Sequence, residues 1–242
     1  MSQFAELKET IKDLKEMLVL ELLKGKKGFP VTTRKKRADK ESVFTLEDSS
    51  LNFETFEELK EAVLKCKRCR LALGRTNVVF GSGDTKSKVV FVGEGPGRDE
   101  DIQGFPFVGK AGQLLTKIIE AMGFSRSDVY ICNVIKCRPP ENRNPQDDEI
   151  KTCKPYLLNQ LSLIKPFVIV ALGTFAAQTL LNTDEKITAL RGKFWNFNGV
   201  PIMPTYHPAY LLRNANMKKE VWEDMKKVMK LLNNLDGLTK NN

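Results

Sequence analysis

The chain has 242 residues, which is enough for one substantial catalytic domain with an appendage. Hydrophobic residues make up 41% and charged residues 29% of it, and no apolar run approaches the roughly 20 residues that span a bilayer. The first residues mix acids and bases and lack the apolar stretch of a secretory signal. We therefore expect a soluble protein of the cytoplasm, without a membrane segment.

The N-terminal part predicts a helix followed by a basic linker. In residues 1–23, apolar side chains recur at alternating three- and four-residue steps, which is typical of an amphipathic helix. This helix either packs on its own domain or binds a protein partner. Residues 24–54 are expected to be a linker. Residues 24–40 carry eight basic side chains and one acidic side chain, so they account for seven of the nine net positive charges of the chain. The linker either contacts phosphate groups non-specifically or is simply solvated.

Residues 55–242 are expected to form the main domain, in which helices and short buried strands alternate. The predicted strands are 89–92, 129–134, 167–172 and 200–204, and the predicted helices are 57–73, 110–122, 146–164, 174–181 and 217–235. This alternation predicts a parallel sheet covered by helices on both faces. Ligands are then expected near the carboxyl ends of the strands.

Two glycine-rich segments come close to phosphate-binding motifs but depart from them. Residues 93–97 follow the first predicted strand as G-x-G-x-G rather than G-x-G-x-x-G, and Pro96 removes a backbone donor. Residues 104–111 match the phosphate loop until Ala111, which lacks the hydroxyl that would bind magnesium. The sequence therefore disfavours dinucleotide-binding enzymes and kinases, while Gly93 and Gly95 still allow the backbone to approach a ligand closely.

Five cysteines occur without an export signal, so they are expected to remain unpaired. Cys66 and Cys69 form a C-x-x-C pair, which we expect on the first helix of the main domain, and Cys137 and Cys153 flank a proline-rich loop. This pattern is compatible with an iron–sulfur cluster, with zinc or with unliganded thiols. Cys132 lies within a predicted strand and is expected to be a core residue.

Two polar residues stand at predicted strand ends. His207 is the only histidine and directly follows the last predicted strand. A lone histidine is usually structural, but this position beside the expected cleft makes it a better catalytic candidate than most. Asn133 ends its predicted strand, where its amide could bind the hydrogen-bonding edge of a base. Each signal is weak when taken alone.

Together the loops resemble the family 4 uracil-DNA glycosylases, the thermophile-type branch with an iron–sulfur cluster. The matching stretches are GEGPGRDEDIQGFPFVGKAGQLL, NVIKCRPPENRNP and HPAYLLRN, with the C-x-x-C pair and with Cys153 ahead of Pro155. The resemblance covers about residues 66–214 and says nothing about residues 1–55. It implies an α/β fold, a three-layer α/β/α sandwich with a central four-stranded parallel sheet. It also implies a monofunctional hydrolase that flips uracil out of single- or double-stranded DNA and leaves an abasic site.

The resemblance also implies a cofactor and a DNA-inserting residue. Cys66, Cys69, Cys137 and Cys153 would bind a 4Fe–4S cluster, with zinc as the alternative. Leu211 matches the position of the wedge that fills the stack vacated by a flipped base, and the alternative is a leucine of the helix core.

The implied substrate contacts are Gly93, Glu94, Gly95, Phe107, Asn133 and His207. Phe107 would stack on the base, Asn133 would bind the uracil edge, and a neutral His207 would stabilise the departing anion. The carboxylate that steers water or supports the sugar is expected to be Glu94, then Glu100, then Asp101.

Two other functions compete with this interpretation. One is a non-catalytic, cluster-containing DNA-binding module, and the other is a zinc-bound nucleotide hydrolase that uses the same cleft. We expect a cytoplasmic, nucleoid-associated monomer, with the helix at 1–23 as the candidate site for a protein partner.

Overall fold

A computed structural model of the chain describes residues 51–239, with side chains through residue 234. The predicted helix at 1–23 and nearly all of the predicted linker at 24–54 lie outside the described residues. The described helices are α1 (Phe56–Leu64), α2 (Arg98–Gln103), α3 (Lys110–Ala121), α4 (Asp147–Ile164), α5 (Thr174–Leu181), α6 (Ile187–Leu190), α7 (Pro208–Arg213) and α8 (Lys218–Thr239). The described strands are β1 (Ser82–Gly83), β2 (Val89–Gly93), β3 (Tyr130–Asn133), β4 (Val168–Leu172), β5 (Trp195–Phe197) and β6 (Val200–Thr205).

The strands form one sheet in the order β1-β3-β2-β4-β6-β5. The four central strands β3, β2, β4 and β6 are parallel, as predicted. The edge strands β1 and β5 pair antiparallel with β3 and β6 and were not predicted. They are two and three residues long, too short to show a periodic pattern in the sequence.

The sheet is covered on both faces, which confirms the predicted three-layer arrangement. Every residue of β2 and β4 is buried, as expected for strands in the middle of a parallel sheet. Successive side chains point to opposite faces, so Val90 and Val92 join one hydrophobic core while Val89 and Phe91 join the other. Residues of α1, α4 and α5 contribute to the first core, and residues of α3 and α8 contribute to the second.

The first predicted helix, 57–73, is wrong at its C-terminal end. Helix α1 begins after Thr55, whose hydroxyl accepts a hydrogen bond from the Glu58 amide in a capping box, and ends at Leu64. A separate 3₁₀ helix follows at Arg70–Leu73. Cys66 and Cys69 therefore lie in the connection and not on a helix, because Cys69 has extended backbone angles.

The other predicted helices correspond to α3, α4, α5 and α8, whereas the short helices α2, α6 and α7 were not predicted. Upstream of α1, Leu51 and Phe53 pack against the core, although the prediction assigned them to the linker. Among residues 51–239, no helix combines the length and apolar character needed to cross a membrane.

The buried strand β4 generates a stability prediction. Ile169 is fully buried in the centre of the sheet, so Ile169→Ala should lower the free energy of unfolding by about 2–5 kcal/mol through lost burial and a residual cavity. Leu73→Ala is the matched control, since Leu73 is 92% exposed and its truncation should change stability by less than about 0.5 kcal/mol. Urea unfolding followed by circular dichroism measures both, and equal losses would contradict this account of the core.

Candidate active site

The predicted site residues meet at the carboxyl ends of the parallel strands. Gly93 ends β2 and Asn133 ends β3, and the register of these two strands places them directly opposite each other. His207 follows the end of β6 by two residues and begins α7. Strand ends of a parallel sheet lie along one edge, which is where this fold binds ligands. The structure thus brings together residues that are separated by more than a hundred positions in the chain.

Gly93 is in contact with two other predicted site residues. A Cβ atom built at Gly93 would clash with Oδ1 of Asn133 and would lie 2.5 Å from Cζ of Phe107. Only glycine therefore leaves room for both side chains at this strand end. At Gly95, by contrast, an added Cβ would meet the Ile135 side chain at 2.6 Å, so this glycine serves the packing of the loop.

The side chain of Asn133 is buried with an unsatisfied oxygen. Asn133 is 1% exposed. Among the buried side-chain nitrogen and oxygen atoms of the described residues, only Oδ1 of Asn133 has no hydrogen-bond partner. Leaving such an atom unpaired costs roughly 1–3 kcal/mol. A buried acceptor of this kind at a strand end is suited to a ligand that supplies the missing donor.

Phe107 is held in a strained backbone conformation beside the pocket. Its φ angle is 53°, in the left-handed region that non-glycine residues rarely adopt. Helix α3 enforces this placement, since a Cβ atom at Gly112 would clash with the Phe107 carbonyl oxygen. The Phe107 ring lies 5.5 Å from the His207 ring, centroid to centroid, at an interplanar angle of 32°. The two rings thus lie next to each other near the ends of the strands.

His207 is fixed as one neutral tautomer. Its Nδ1 accepts a hydrogen bond from the backbone amide of Ala209 at 3.1 Å, so the remaining proton of a neutral ring is on Nε2. Burial, and to a lesser extent the charge of Arg213, lower the pKa of the imidazole to about 4. At neutral pH the ring is therefore an uncharged donor through Nε2.

The three carboxylates near the first glycine loop have different surroundings. Glu100 accepts hydrogen bonds from the amides of Gly97, Val108 and Gly109 at 3.1, 2.9 and 3.0 Å, and so supports the segment that carries Phe107. Asp101 is 2% exposed and accepts bonds from the Thr76 and Asn77 amides, which gives it a structural role.

Glu94 differs from these two, because burial raises its pKa to about 7. A carboxyl group that titrates near neutral pH is suited to proton transfer. The order predicted from the sequence placed Glu94 first, and that order stays a prediction. The catalytic role of Glu100 also stays a prediction. In this structure its carboxylate oxygens bond the backbone of the segment that carries Phe107.

Leu211, the predicted wedge, does not face the surface in this structure. It is 1% exposed and belongs to the core between the sheet and helices α3 and α8. Its neighbours Tyr210 and Leu212 are 37% and 49% exposed. The expected surface wedge is therefore corrected to the alternative, a leucine of the helix core, and the apolar surface of α7 comes from Tyr210 and Leu212.

Four cysteines line a single cavity. Cys66 and Cys69 come from the connection after α1, Cys137 from the loop after β3 and Cys153 from α4. Cys132 is not among them and is buried in β3, as predicted. The four thiols therefore converge although their positions in the chain differ by up to 87.

Two cations near these thiols were missed by the sequence analysis. Arg75 donates from Nη1 to the sulfur of Cys137 at 3.0 Å and from Nη2 to the Cys66 carbonyl at 2.7 Å. Lys136 lines the same cavity, is 1% exposed, and donates from Nζ to the Asn133 carbonyl at 2.7 Å. Burial lowers the pKa of its ammonium group. In the sequence, the signal that could have identified Lys136 is its position directly before Cys137.

The sequence of the chain is similar to those of known proteins. Residues 80–226 match the uracil DNA glycosylase superfamily. A type-4 uracil-DNA glycosylase of Thermotoga maritima is 48% identical over 178 residues, which is 72% of this chain and 93% of that protein. Those of Saccharolobus solfataricus and Sulfurisphaera tokodaii are 46% and 45% identical, over 72% and 74% of this chain and 85% of each relative. The chain belongs to the uracil DNA glycosylase superfamily, in its type-4 branch.

The contrast within α7 generates a paired prediction. Leu211→Ala should lower the melting temperature by several degrees, since it opens a cavity in the core worth about 2–5 kcal/mol. Leu212→Ala should leave the melting temperature within about one degree and should weaken binding to duplex DNA, because it removes exposed apolar surface beside the pocket. Differential scanning fluorimetry and fluorescence anisotropy with a labelled duplex measure the pair. The reverse result would restore Leu211 as the wedge.

Proposed function

We propose that the protein is a monofunctional uracil-DNA glycosylase, which hydrolyses the bond between uracil and deoxyribose in DNA and leaves an abasic site. The unpaired amide oxygen of Asn133, in a pocket beside the rings of Phe107 and His207, is the observation that carries this proposal. The type-4 relatives named above support the same reaction.

The pocket residues are complementary to the edge of uracil. Uracil presents an N3–H donor next to its O4 acceptor, and an asparagine amide offers an oxygen and an NH₂ group side by side. Asn133 would accept from N3–H and donate to O4. Cytosine presents an acceptor and a donor at these two positions, so the same amide discriminates against it. Phe107 would stack on the face of the base, next to the Asn133 amide for which Gly93 leaves room.

The substrate has to reach this pocket as an extruded nucleotide. Neither ring of the pocket can approach a base that is stacked within a duplex, so the nucleotide must flip out at a cost of a few kcal/mol. The exposed apolar side chains of α7, Tyr210 and Leu212, lie close in the chain to His207 and are placed to contact the disturbed stack.

Bond cleavage puts negative charge on the leaving base and positive charge on the sugar. His207 is neutral and carries its proton on Nε2. It would donate a hydrogen bond from Nε2 to uracil O2 and so stabilise the departing anion. In its deprotonated form, Glu94 would stabilise the sugar cation or accept a proton from the attacking water.

The four cysteines that line one cavity would hold a 4Fe–4S cluster, with zinc as the alternative. A four-iron cluster takes one thiolate on each iron, so four cysteines are the ligand set that it needs. The resemblance to the family 4 enzymes favours the cluster over zinc. When bound, the cluster would cross-link the connection after α1 to β3 and α4. Arg75 and Lys136 would offset its negative charge.

The activity is tested first by uracil release from a labelled oligonucleotide, with protein purified without air. His207→Ala should lower the rate by about 100- to 1,000-fold, the cost of removing one donor to a developing anion. Asn133→Ala should lower it by about 10- to 100-fold and weaken discrimination against cytosine. Leu73→Ala, at an exposed position, is the control and should match the unmodified enzyme. DNA binding without uracil release would instead support the non-catalytic module.

The raised pKa of Glu94 predicts a pH profile. Because the carboxylate is the active form, kcat/KM should fall about tenfold per pH unit below about pH 7 and level off above it. His207 should contribute no step there, since its pKa of about 4 keeps it neutral throughout. Glu94→Gln should give a low rate without this dependence. A flat profile in the unmodified enzyme would contradict the assignment of Glu94.

The cofactor proposal is tested by metal analysis. Protein purified without air should be brown and contain about four irons per chain, with no stoichiometric zinc. Cys69→Ser should reduce the iron content sharply, whereas Cys132→Ser should leave it unchanged because Cys132 does not line the cavity. A colourless, zinc-loaded protein would favour the zinc alternative.

A further inference from the structure

A buried carboxylate on α8 holds the end of the strand that leads to His207. Thr205 is the last residue of β6, and its hydroxyl donates to Oδ2 of Asp224 at 2.7 Å. Both residues are fully buried. The hydrogen bond joins the end of β6, from which the active-site loop leaves, to helix α8, which packs against β6 in the second core.

Arg191 completes this arrangement from the residue after α6. Its guanidinium donates to Asp224 from Nη2 to Oδ1 at 2.8 Å and from Nε to Oδ2 at 3.2 Å. It also donates to the Glu220 carbonyl and carboxylate, both at 2.8 Å. The same guanidinium lies over the ring of Tyr206, 5.2 Å from its centroid. Thr205 and Tyr206, the two residues before His207, are thus both held by one ion pair.

We propose that Asp224 and Arg191 are positioning residues that fix the placement of His207 for the reaction. With Thr205 they are termed the β6 clamp below. The proposal rests on the function proposed above, in which the His207 imidazole donates to the leaving base.

The surroundings of His207 leave little tolerance for movement. A Cβ atom at Gly173 would lie 2.9 Å from Cβ of His207, so the backbone of Gly173 packs directly against it. The imidazole is also fixed by the Ala209 amide and lies beside the Phe107 ring. A shift of β6 by a fraction of an ångström would therefore move the Nε2 donor away from the reacting base.

A buried ion pair of this kind contributes more to fixing the positions of its neighbours than to the stability of the fold. Burying two charges removes them from water, and replacing a buried pair with apolar residues is often neutral for stability. A bidentate Arg–carboxylate pair does, however, fix distances and angles through parallel hydrogen bonds. A small misplacement of a catalytic group can lower the rate by about 100-fold. The β6 clamp has the rigidity for this role, and its member Thr205 lies two residues before His207 in the chain.

The test is a double-mutant cycle between Asp224 and His207 in the cluster-loaded enzyme. Asp224→Asn should lower kcat by about 10- to 100-fold with KM changed by less than about threefold, because base contacts by Asn133 and Phe107 remain. In the His207→Ala background the same substitution should lower kcat by less than about twofold, since the residue being positioned is absent. An equal loss in both backgrounds would overturn the proposal.

The second readout is spectroscopic and independent of uracil release. His207 is the only histidine, so ¹⁵N-histidine labelling gives one pair of imidazole signals to read its tautomer directly. Asp224→Asn should shift or broaden these signals as the imidazole takes up more than one arrangement. Unchanged signals would overturn the proposal. If uracil is not a substrate, these signals still decide whether the β6 clamp places His207.

Conservative variants separate positioning from general damage to the fold. Thr205→Ser keeps the hydroxyl and should retain kcat within about threefold, whereas Thr205→Val removes it at nearly the same volume and should lower kcat by about tenfold. Glu220→Gln is the matched control, since Glu220 also contacts Arg191 but its side chain is 46% exposed and does not bond Thr205. It should change kcat by less than about twofold. A larger loss in Glu220→Gln than in Thr205→Val would overturn the proposal.

Discussion

The parallel pairing of β2 with β3 is the constraint on which the pocket depends. It places Gly93 opposite Asn133 at the last step of the ladder, and the missing side chain at Gly93 leaves the space that the Asn133 amide and the Phe107 ring occupy. Because both strands are buried in the sheet, this spacing is set by backbone hydrogen bonds and not by flexible side chains. The spacing between Gly93 and Asn133 is therefore a property of the sheet itself.

Much of the polar chemistry around the pocket holds loops in place. The Glu100 carboxylate binds three backbone amides, and this bonding together with the close approach of Gly112 keeps Phe107 in its left-handed conformation. Strain of this kind persists only where the surrounding structure enforces it. The β6 clamp supports the His207 side of the pocket in the same manner. The segments that carry Phe107 and His207 are thus both held by hydrogen bonds to carboxylate groups.

The cysteine cavity and the pocket share strand β3 and the loop after it. Lys136 lines the cavity and donates to the carbonyl of Asn133 at 2.7 Å and to the Gln160 side chain at 2.5 Å. Gln160 in turn donates to the Phe80 carbonyl and to the Tyr130 hydroxyl. A fully bonded buried network of this type is rigid. The backbone at Asn133 is therefore fixed from the side of the cysteines as well as by the sheet.

The sequence by itself determined the four parallel strands, the three layers and the family, because continuous apolar runs and the loops at their ends are local features. It also predicted Gly93, Phe107, Asn133 and His207 as site residues, and the structure brings these four together at the ends of the strands. It did not determine that Leu211 faces the core while Leu212 faces outward, since exposure within so short a helix depends on how α7 lies against the sheet. The C-x-x-C pair was wrongly placed on a helix, because helix propensity in the sequence extends past Leu64, where α1 ends. The partners of Glu100 and Asp224 were likewise decided only by the tertiary structure. A carboxylate has the same appearance in a sequence whether it meets water, a backbone amide or a buried arginine, and only folding brings these partners within bonding distance.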